Sequence, residues 1–445
     1  MNPIAERLLS RARAQGADAA EAYLSRGTEF TVKVFNGEIE SLVSAASRGV
    51  GLRTFSEHRV GFAYTSDTDA DALDALADEA LRNGRYNHAE EANVLPEPEV
   101  IEELSGLYAP DLGSIDPQRK VEFALEMERV ATSLDPRVRR VSDVVYSDGA
   151  GHVELANTRG LDVGFERTVA YGVIDAIAEQ DSERQSGFAF TYSRDLDGLD
   201  LAGVAREAVD NAVGLLGGRR VRTARVPVVL HPDAGTMILG VMGSSFSGEA
   251  VLKRRSLLAG KLGQPVAAPA VTIVDDARLP GGLASRPFDG EGVPARRIEL
   301  VKDGMLLGYL QNTYTARRSG GQSTGSAVRS YKSVPEVGVT NLVLQPGTQK
   351  RDDIIGRVDD GLHVEQLHGL NTVNPVSGEF SFGVSGHWIR DGRLAEPVRE
   401  MTVAGNLIGV LKLIVGVADD LRFRFAGGFC GCPTVLIEEL AIGGD

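Results

Sequence analysis

Cysteine, tryptophan and histidine are all scarce in this sequence, and long apolar runs are absent. Of 445 residues, two are cysteine, one is tryptophan and seven are histidine. Two cysteines cannot build a disulfide framework, so a reduced, cytoplasmic compartment is the simplest expectation. No stretch approaches the roughly eighteen consecutive apolar residues that read as a membrane span, so no membrane partner is expected. The opening residues, Met1 to Gly16, carry Glu6, Arg11 and Arg13 in a helical pattern, unlike a signal peptide. Positive charge is also in deficit. The formal net charge of -15 repels phosphate backbones, so no nucleic acid partner is expected. What remains is ordinary for a globular protein: 42% hydrophobic and 24% charged residues, enough to bury a large core.

The apolar periodicity points to an α+β protein. Ile4, Leu8, Leu9 and Ala12 mark an opening helix that ends near Gly16. Strands follow over 31–35, 38–43, 49–55 and 59–65, with Asn36-Gly37 as a two-residue hairpin turn. Asp69 then caps an amphipathic helix. Residues 86–118 read as a linker, followed by a helix carrying Val121, Ala124, Met127 and Val130. Strands resume over 138–191, with turns at Asp148-Gly149 and Arg159-Gly160. An internal echo runs through this region. Gly61-Phe62-Ala63-Tyr64-Thr65 precedes a helix with Glu79-Ala80 and Asn83, and Gly187-Phe188-Ala189-Phe190-Thr191 precedes one with Glu207-Ala208 and Asn211. Residues 1–220 therefore form an N-terminal strand-helix domain with a large sheet. Its halves, 1–90 and 118–220, fit a duplication or a chance recurrence equally well. Such a sheet would carry helices on one face and leave the other free to form a groove. Arg219 and Arg220 mark the boundary. Residues 221–445 open with a strand at Val226–Leu230, a helix start at His231-Pro232-Asp233 and helical pattern to about Leu262. A β-rich, barrel- or sandwich-like domain follows, with a helix near 406–414 and a last strand at 434–437.

Residues suited to catalysis are thin. No His-Glu-x-x-His or longer His-Glu-x-x-x-His is present. His363 and His368 are five apart, about 140° around a helix axis, which makes a poor chelate. Both are expected to be polar surface or loop residues, although His363-Val364-Glu365 would share a face of a strand. Cys430 and Cys432 could clamp a soft metal, but a closed site needs two further ligands. They read better as reduced thiols in a Gly-rich turn. No Gly-x-Ser-x-Gly elbow occurs. Ser385 and His387 would share a strand face without further support for a catalytic pair. The loop 319–325 lacks the lysine and following helix of a phosphate-binding loop. Its neighbours Arg317, Arg318 and Arg329 could hold a carboxylate but read more simply as solvated.

Several stretches, taken together in order and spacing, resemble one family over nearly the whole chain. They are Asn36-Gly37-Glu38-Ile39-Glu40, Gly49-Val50-Gly51-Leu52-Arg53, Phe288-Asp289-Gly290-Glu291-Gly292-Val293-Pro294, Ser323-Thr324-Gly325, Asn374-Pro375-Val376-Ser377-Gly378-Glu379-Phe380-Ser381 and Thr402-Val403-Ala404-Gly405-Asn406. The sequence is similar to the TldD/PmbA family, also described as modulators of DNA gyrase. That resemblance implies a pair of subunits. The TldD type carries a His-Glu-x-x-x-His helix and a C-terminal cysteine that hold zinc; the PmbA, or TldE, type lacks the motif. Here Leu239 and Ser244 stand where the two histidines would be, and Gly240 where the glutamate would be. The resemblance thus implies a zinc-less subunit that is inactive alone. Its TldD-type partner holds the zinc in a heterodimer that acts on short or unfolded peptides in proteolysis and peptide maturation. The resemblance implies a dimer of some kind, and whether the lone chain forms a homodimer is left open by the sequence. Which residues line the peptide path is not fixed by the sequence. Two other readings stay open: a stand-alone hydrolase using His363, His368, Cys430 or Cys432, and a non-enzymatic modulator of DNA gyrase.

Overall fold

The computed structural model describes residues 1–444. Helix α1 (Pro3–Ala14) leads into three antiparallel strands, β1 (Ala19–Phe35), β2 (Glu38–Ser56) and β3 (Arg59–Thr65), and then helix α2 (Ala70–Gly84). The same order returns as α3 (Pro117–Leu134), β4 (Arg140–Asn157), β5 (Asp162–Gln180), β6 (Glu183–Ser193) and α4 (Leu201–Gly214). The six strands form one sheet in the order β3-β2-β1-β4-β5-β6, so the two halves meet along β1 and β4.

Strand alternation decides which face the helices cover. On β1, Ala20, Ala22 and Leu24 are buried with α1 and α2, while Phe30, Val32 and Val34 are buried with α3. All six point to the same face. The sequence echo has a physical basis in these helices. The Asn83 side chain donates to the Phe62 carbonyl at 3.0 Å, and Asn211 donates to the Phe188 carbonyl at 3.1 Å. At Gly61 and Gly187 a Cβ would lie 1.9 Å from the Ala80 carbonyl and 2.2 Å from the Ala208 carbonyl. Each half thus ties its closing helix to its third strand by the same approach of helix backbone to glycine.

Several sequence expectations need correction. Residues 38–43 and 49–55 are not separate strands. Pairing to β1 carries β2 unbroken through the exposed residues between them. Asp148-Gly149 is no turn, because it lies inside β4, where Lys120 of α3 reaches Asp148 at 2.7 Å in a buried ion pair. Asp69 occupies the N-cap of α2, but its side chain makes no capping bond.

Residues 215–223 join α4 to β7 (Ala224–Leu230). β7 pairs in parallel with strand Asp360–His368 and antiparallel with Val435–Gly443. Strands Glu379–Arg390 and Arg393–Asn406 continue the sheet from Asp360–His368, and pairing of Arg393–Asn406 with Val435–Gly443 closes a barrel. Of the two architectures expected for this region, the barrel is the one formed. Its last strand runs to Gly443, well past residue 437. Another six-stranded sheet, which includes Asn341–Leu344, Phe429–Cys432 and Arg422–Phe425, packs nearby. Helix α5 (Pro232–Gly243) is shorter than its sequence pattern suggests. It ends at Gly243, a 3-10 turn covers Ser244–Phe246, and only Gly248–Leu252 is helical beyond it. A further helix, Thr313–Ser319, went unrecognised in the sequence; Asn312 and Thr315 form a capping box at its start.

The sheet face opposite the helices is not wholly free. Tyr23, Leu155 and Leu161 pack there against Phe288 from the C-terminal half. Beside them lies a charged quartet removed from water. Glu21 of β1 and Glu291 have side-chain exposures of 0% and 1%. Arg53 of β2 donates to Glu21 at 3.2 Å and to Glu291 at 3.1 Å. Arg329, also fully buried, pairs with Glu21 and lies 4.8 Å from the Tyr23 ring centroid. The second oxygen of Glu291 accepts from the Thr313 amide at 2.7 Å. Arg329 is therefore not the solvated arginine expected from sequence. Asp289 supports the same loop by accepting from the amides of Glu291, Val293 and Ala327 at 2.8–3.0 Å. Arg53→Met would leave buried Glu291 without an ionic partner and Glu21 with Arg329 alone, and is expected to lower unfolding stability by about 3–5 kcal/mol, read as a drop in the urea midpoint. Removing the exposed Arg129 of the Arg129–Glu126 pair should leave that midpoint unmoved.

Candidate functional site

The chain leaves β7 and starts α5 with three residues of distinct function. His231 is the N-cap, and its Nδ1 accepts from the Asp233 amide at 3.3 Å. Pro232 occupies the first turn, where a missing N–H costs nothing. Asp233 receives Arg424 of strand Arg422–Phe425 at 2.6 Å. This corner opens on a cavity of about 970 Å3 between the uncovered faces of β5 and β6, helix α4 and the C-terminal half. The groove expected on the open sheet face therefore exists, over β5 and β6 rather than β1 and β2.

One wall is aromatic. Phe190 and Phe425 meet edge to face at 5.9 Å, and Arg424 lies 4.7 Å over Phe188. The rest is charged, and most charges are paired. Arg422 chelates Glu207 at 2.7 and 2.9 Å. Glu365, on strand Asp360–His368, accepts from His363 Nδ1 at 3.1 Å and from His387 Nδ1 at 2.9 Å with a single oxygen. His387 Nε2 donates to the Gly214 carbonyl at 3.1 Å.

These contacts fix the protonation states. Burial works against both charges of the Glu365–His387 pair. The imidazoles nonetheless hold Glu365 well below the usual carboxylate range, and Glu365 raises His387. His387, with both nitrogens donating, is an imidazolium. Burial pushes His231 down to about 4 and lowers His363 as well, so both stay neutral near pH 7. The His363 Nδ1–H points to Glu365, which leaves Nε2 a buried nitrogen with no partner.

The residues singled out by sequence are scattered. His363 is fully buried, against the expectation of a surface residue, because cross-strand pairing sets it beside His387. His368 stays exposed at the end of that strand, where Ser385 Oγ is 3.5 Å from its Nε2. Ser385 thus approaches His368 and not His387. Cys430 and Cys432 are free and buried in strand Phe429–Cys432, not in a turn. Burial pushes the Cys430 thiol up to about 12 and raises Cys432 further, so neither is a nucleophile near pH 7. Among the described residues, no three His, Cys, Asp or Glu side chains are placed to hold one metal ion.

At the implied zinc helix, Leu239 is 2% exposed within the C-terminal core. Ser244 is exposed and already past the end of α5. At Gly240 a Cβ would stand 2.2 Å from the Ala426 carbonyl, so the space for a side chain is filled by backbone. These residues do not fit a zinc ion. Sequence reasoning missed Arg351, Arg422, Arg424 and Glu365 as cavity residues. The only available signal was the shared strand face of His363 and Glu365; the cross-strand partner His387 leaves no local trace.

Two measurements follow from this geometry. His231 takes up protons in the unfolded chain below about pH 6.5 but in the folded chain only near pH 4. Its contribution to stability is therefore complete above pH 6.5 and declines by about 3 kcal/mol as pH falls through that window. Histidine NMR titration should place the His231 midpoint near 4. A midpoint near 6.5 would contradict the buried, neutral ring. Gly240→Ala is expected to cost about 1–3 kcal/mol through overlap with Ala426, measured by urea unfolding.

Comparison with known proteins places this architecture. Three family models match in sequence: PmbA/TldA metallopeptidase domain 1 over residues 20–84, the central domain over 110–216 and the C-terminal domain over 223–444. The metalloprotease PmbA of Escherichia coli O157:H7 is 27% identical, with 96% of this chain and 93% of that protein aligned. A metalloprotease TldD homolog of Haemophilus influenzae is 28% identical, with the same shares aligned. Among solved structures, a putative modulator of a DNA gyrase from Thermotoga maritima superposes with a TM-score of 0.92 at 27% identity, covering 99% of both chains. TldE from Thermococcus kodakarensis superposes at 0.91 with 25% identity, covering 99% of this chain and 100% of that one. The chain belongs to the PmbA/TldD family of metalloproteases.

Proposed function

We propose that this chain is the zinc-less, PmbA/TldE-type subunit of a two-subunit cytoplasmic metallopeptidase. It supplies a binding wall for short or unfolded peptides. A TldD-type partner supplies the zinc, the activated water and the general base. Relatives of both types match at nearly equal identity, 27% for PmbA and 28% for the TldD homolog, so overall similarity does not separate the two roles. The observation that carries the reading is helix α5. A hydrolytic zinc site needs about three protein ligands and a carboxylate to move the proton of water. Leu239 is instead committed to the core, Gly240 is closed off by Ala426, and Ser244 lies beyond the helix.

Metal analysis and co-expression test it together. The purified chain alone is expected to carry far less than one zinc per molecule and to cleave no peptide. With a TldD-type partner it should form a 1:1 complex whose cleavage disappears when the partner's zinc-binding residues are replaced. Stoichiometric zinc in the isolated chain, lost together with cleavage in Cys430→Ser or His363→Gln, would instead identify a stand-alone hydrolase. Inhibition of DNA gyrase by the chain alone, with no cleavage in the complex, would identify a non-enzymatic modulator.

A further inference from the structure

The charges around the 970 Å3 cavity do not all cancel locally. Arg422 is spent on Glu207, Arg424 on Asp233, and Glu365 on His363 and His387. Arg351 is the exception among the part-buried lining cations. Among the described residues it has no carboxylate partner, and its Nε is buried without a hydrogen bond. A part-buried guanidinium without an anion is a costly arrangement that a ligand can relieve.

A second donor belongs to the same surface. His231 Nδ1 is occupied as the acceptor of the Asp233 amide, so the proton of the neutral ring sits on Nε2. The neighbouring His363 ring, 6.0 Å away and edge on, makes no bond to it. Arg351 and His231 line the same cavity. The cavity therefore holds a guanidinium with no carboxylate partner and an imidazole Nε2–H with no hydrogen bond, beside Asp233, which lies 3.7 Å from His231 Nδ1 and is paired with Arg424, and Asp175, whose Oδ1 is also without a partner. Phe188, Phe190 and Phe425 offer apolar faces beside them. Two donors suit one carboxylate, and aromatic faces suit the side chain next to it.

We infer that Arg351 and His231 form a carboxylate subsite that takes the C-terminal carboxylate of a peptide, with its last side chain lying against Phe188, Phe190 and Phe425. This rests on the peptide-binding reading above and adds to it a polarity: the peptide enters with its C-terminal end on this subunit. Arg351 and His231 would act as binding residues and take no part in bond cleavage.

The test uses the full-length chain and a fluorescent, unstructured peptide ending in leucine, made as the free acid and as the C-terminal amide. Fluorescence anisotropy should give a free-acid affinity roughly ten- to hundredfold tighter than the amide. Arg351→Gln should abolish that difference while leaving the amide affinity unchanged, a readout that a misfolded variant would not give. His231→Phe, which keeps ring volume and removes the N–H, should narrow the gap. Equal binding of both peptides by the unaltered chain would overturn the carboxylate subsite and leave the peptide reading standing. Failure of either peptide to bind would overturn both. Inorganic phosphate competing as tightly as the free-acid peptide would assign the site to a free anion and overturn the peptide-terminus assignment.

Discussion

The buried quartet of Glu21, Arg53, Glu291 and Arg329 is the constraint on which the remaining geometry depends. Two carboxylates and two guanidiniums leave no net charge, and each side chain is at most 8% exposed. Such a cluster adds little over apolar packing of the same volume, because desolvation consumes most of the attraction. Its influence lies in what it forbids. Any shift of the C-terminal half along β1 and β2 would leave a dry charge without its partner, so one docking is far lower in energy than its neighbours. That docking sets β5 and β6 across from the barrel strand Asp360–His368. The cavity follows from a lock made at the other end of the same sheet.

Much of this architecture is legible in the sequence because local chemistry and tertiary packing agree there. Asn36-Gly37 turns a hairpin because both residues take positive φ, at 53° and 74°. His231-Pro232-Asp233 starts a helix through a cap and a proline that needs no N–H. The internal echo is readable because Asn83 and Asn211 perform one task twice, each holding a helix to the third strand of its half.

The failures have one cause, which is partners distant in sequence. Residues 44–48 look like a break because both their faces are exposed, yet pairing to β1 carries the strand through them. Asp148-Gly149 has turn chemistry, but Lys120 and β1 claim it. Arg329 reads as solvated until Glu21, more than three hundred residues away in sequence, is folded against it. His363 reads as polar surface because nothing near it in sequence reveals His387. The cavity was the least legible feature of all. Its charges come from α4, α5, the short helix Arg351–Ile355 and two sheets, and their pairing decides which part-buried cation is left over.

The two ends of helix α5 meet different surroundings. Its N-terminal end serves the cavity through His231 and Asp233. Its C-terminal end, where the proposed reading places the lost motif, is packed shut. His231 and Asp233 lie against strands Asp360–His368 and Arg422–Phe425, and Gly240 against Ala426, the residue that follows the second of them. A single substitution could not reopen the C-terminal end, since a glutamate at 240 would first have to displace backbone. Under the carboxylate-subsite proposal, the part-buried Arg351, with its Nε unpartnered, is the group on the N-terminal side of this surface that a ligand would satisfy.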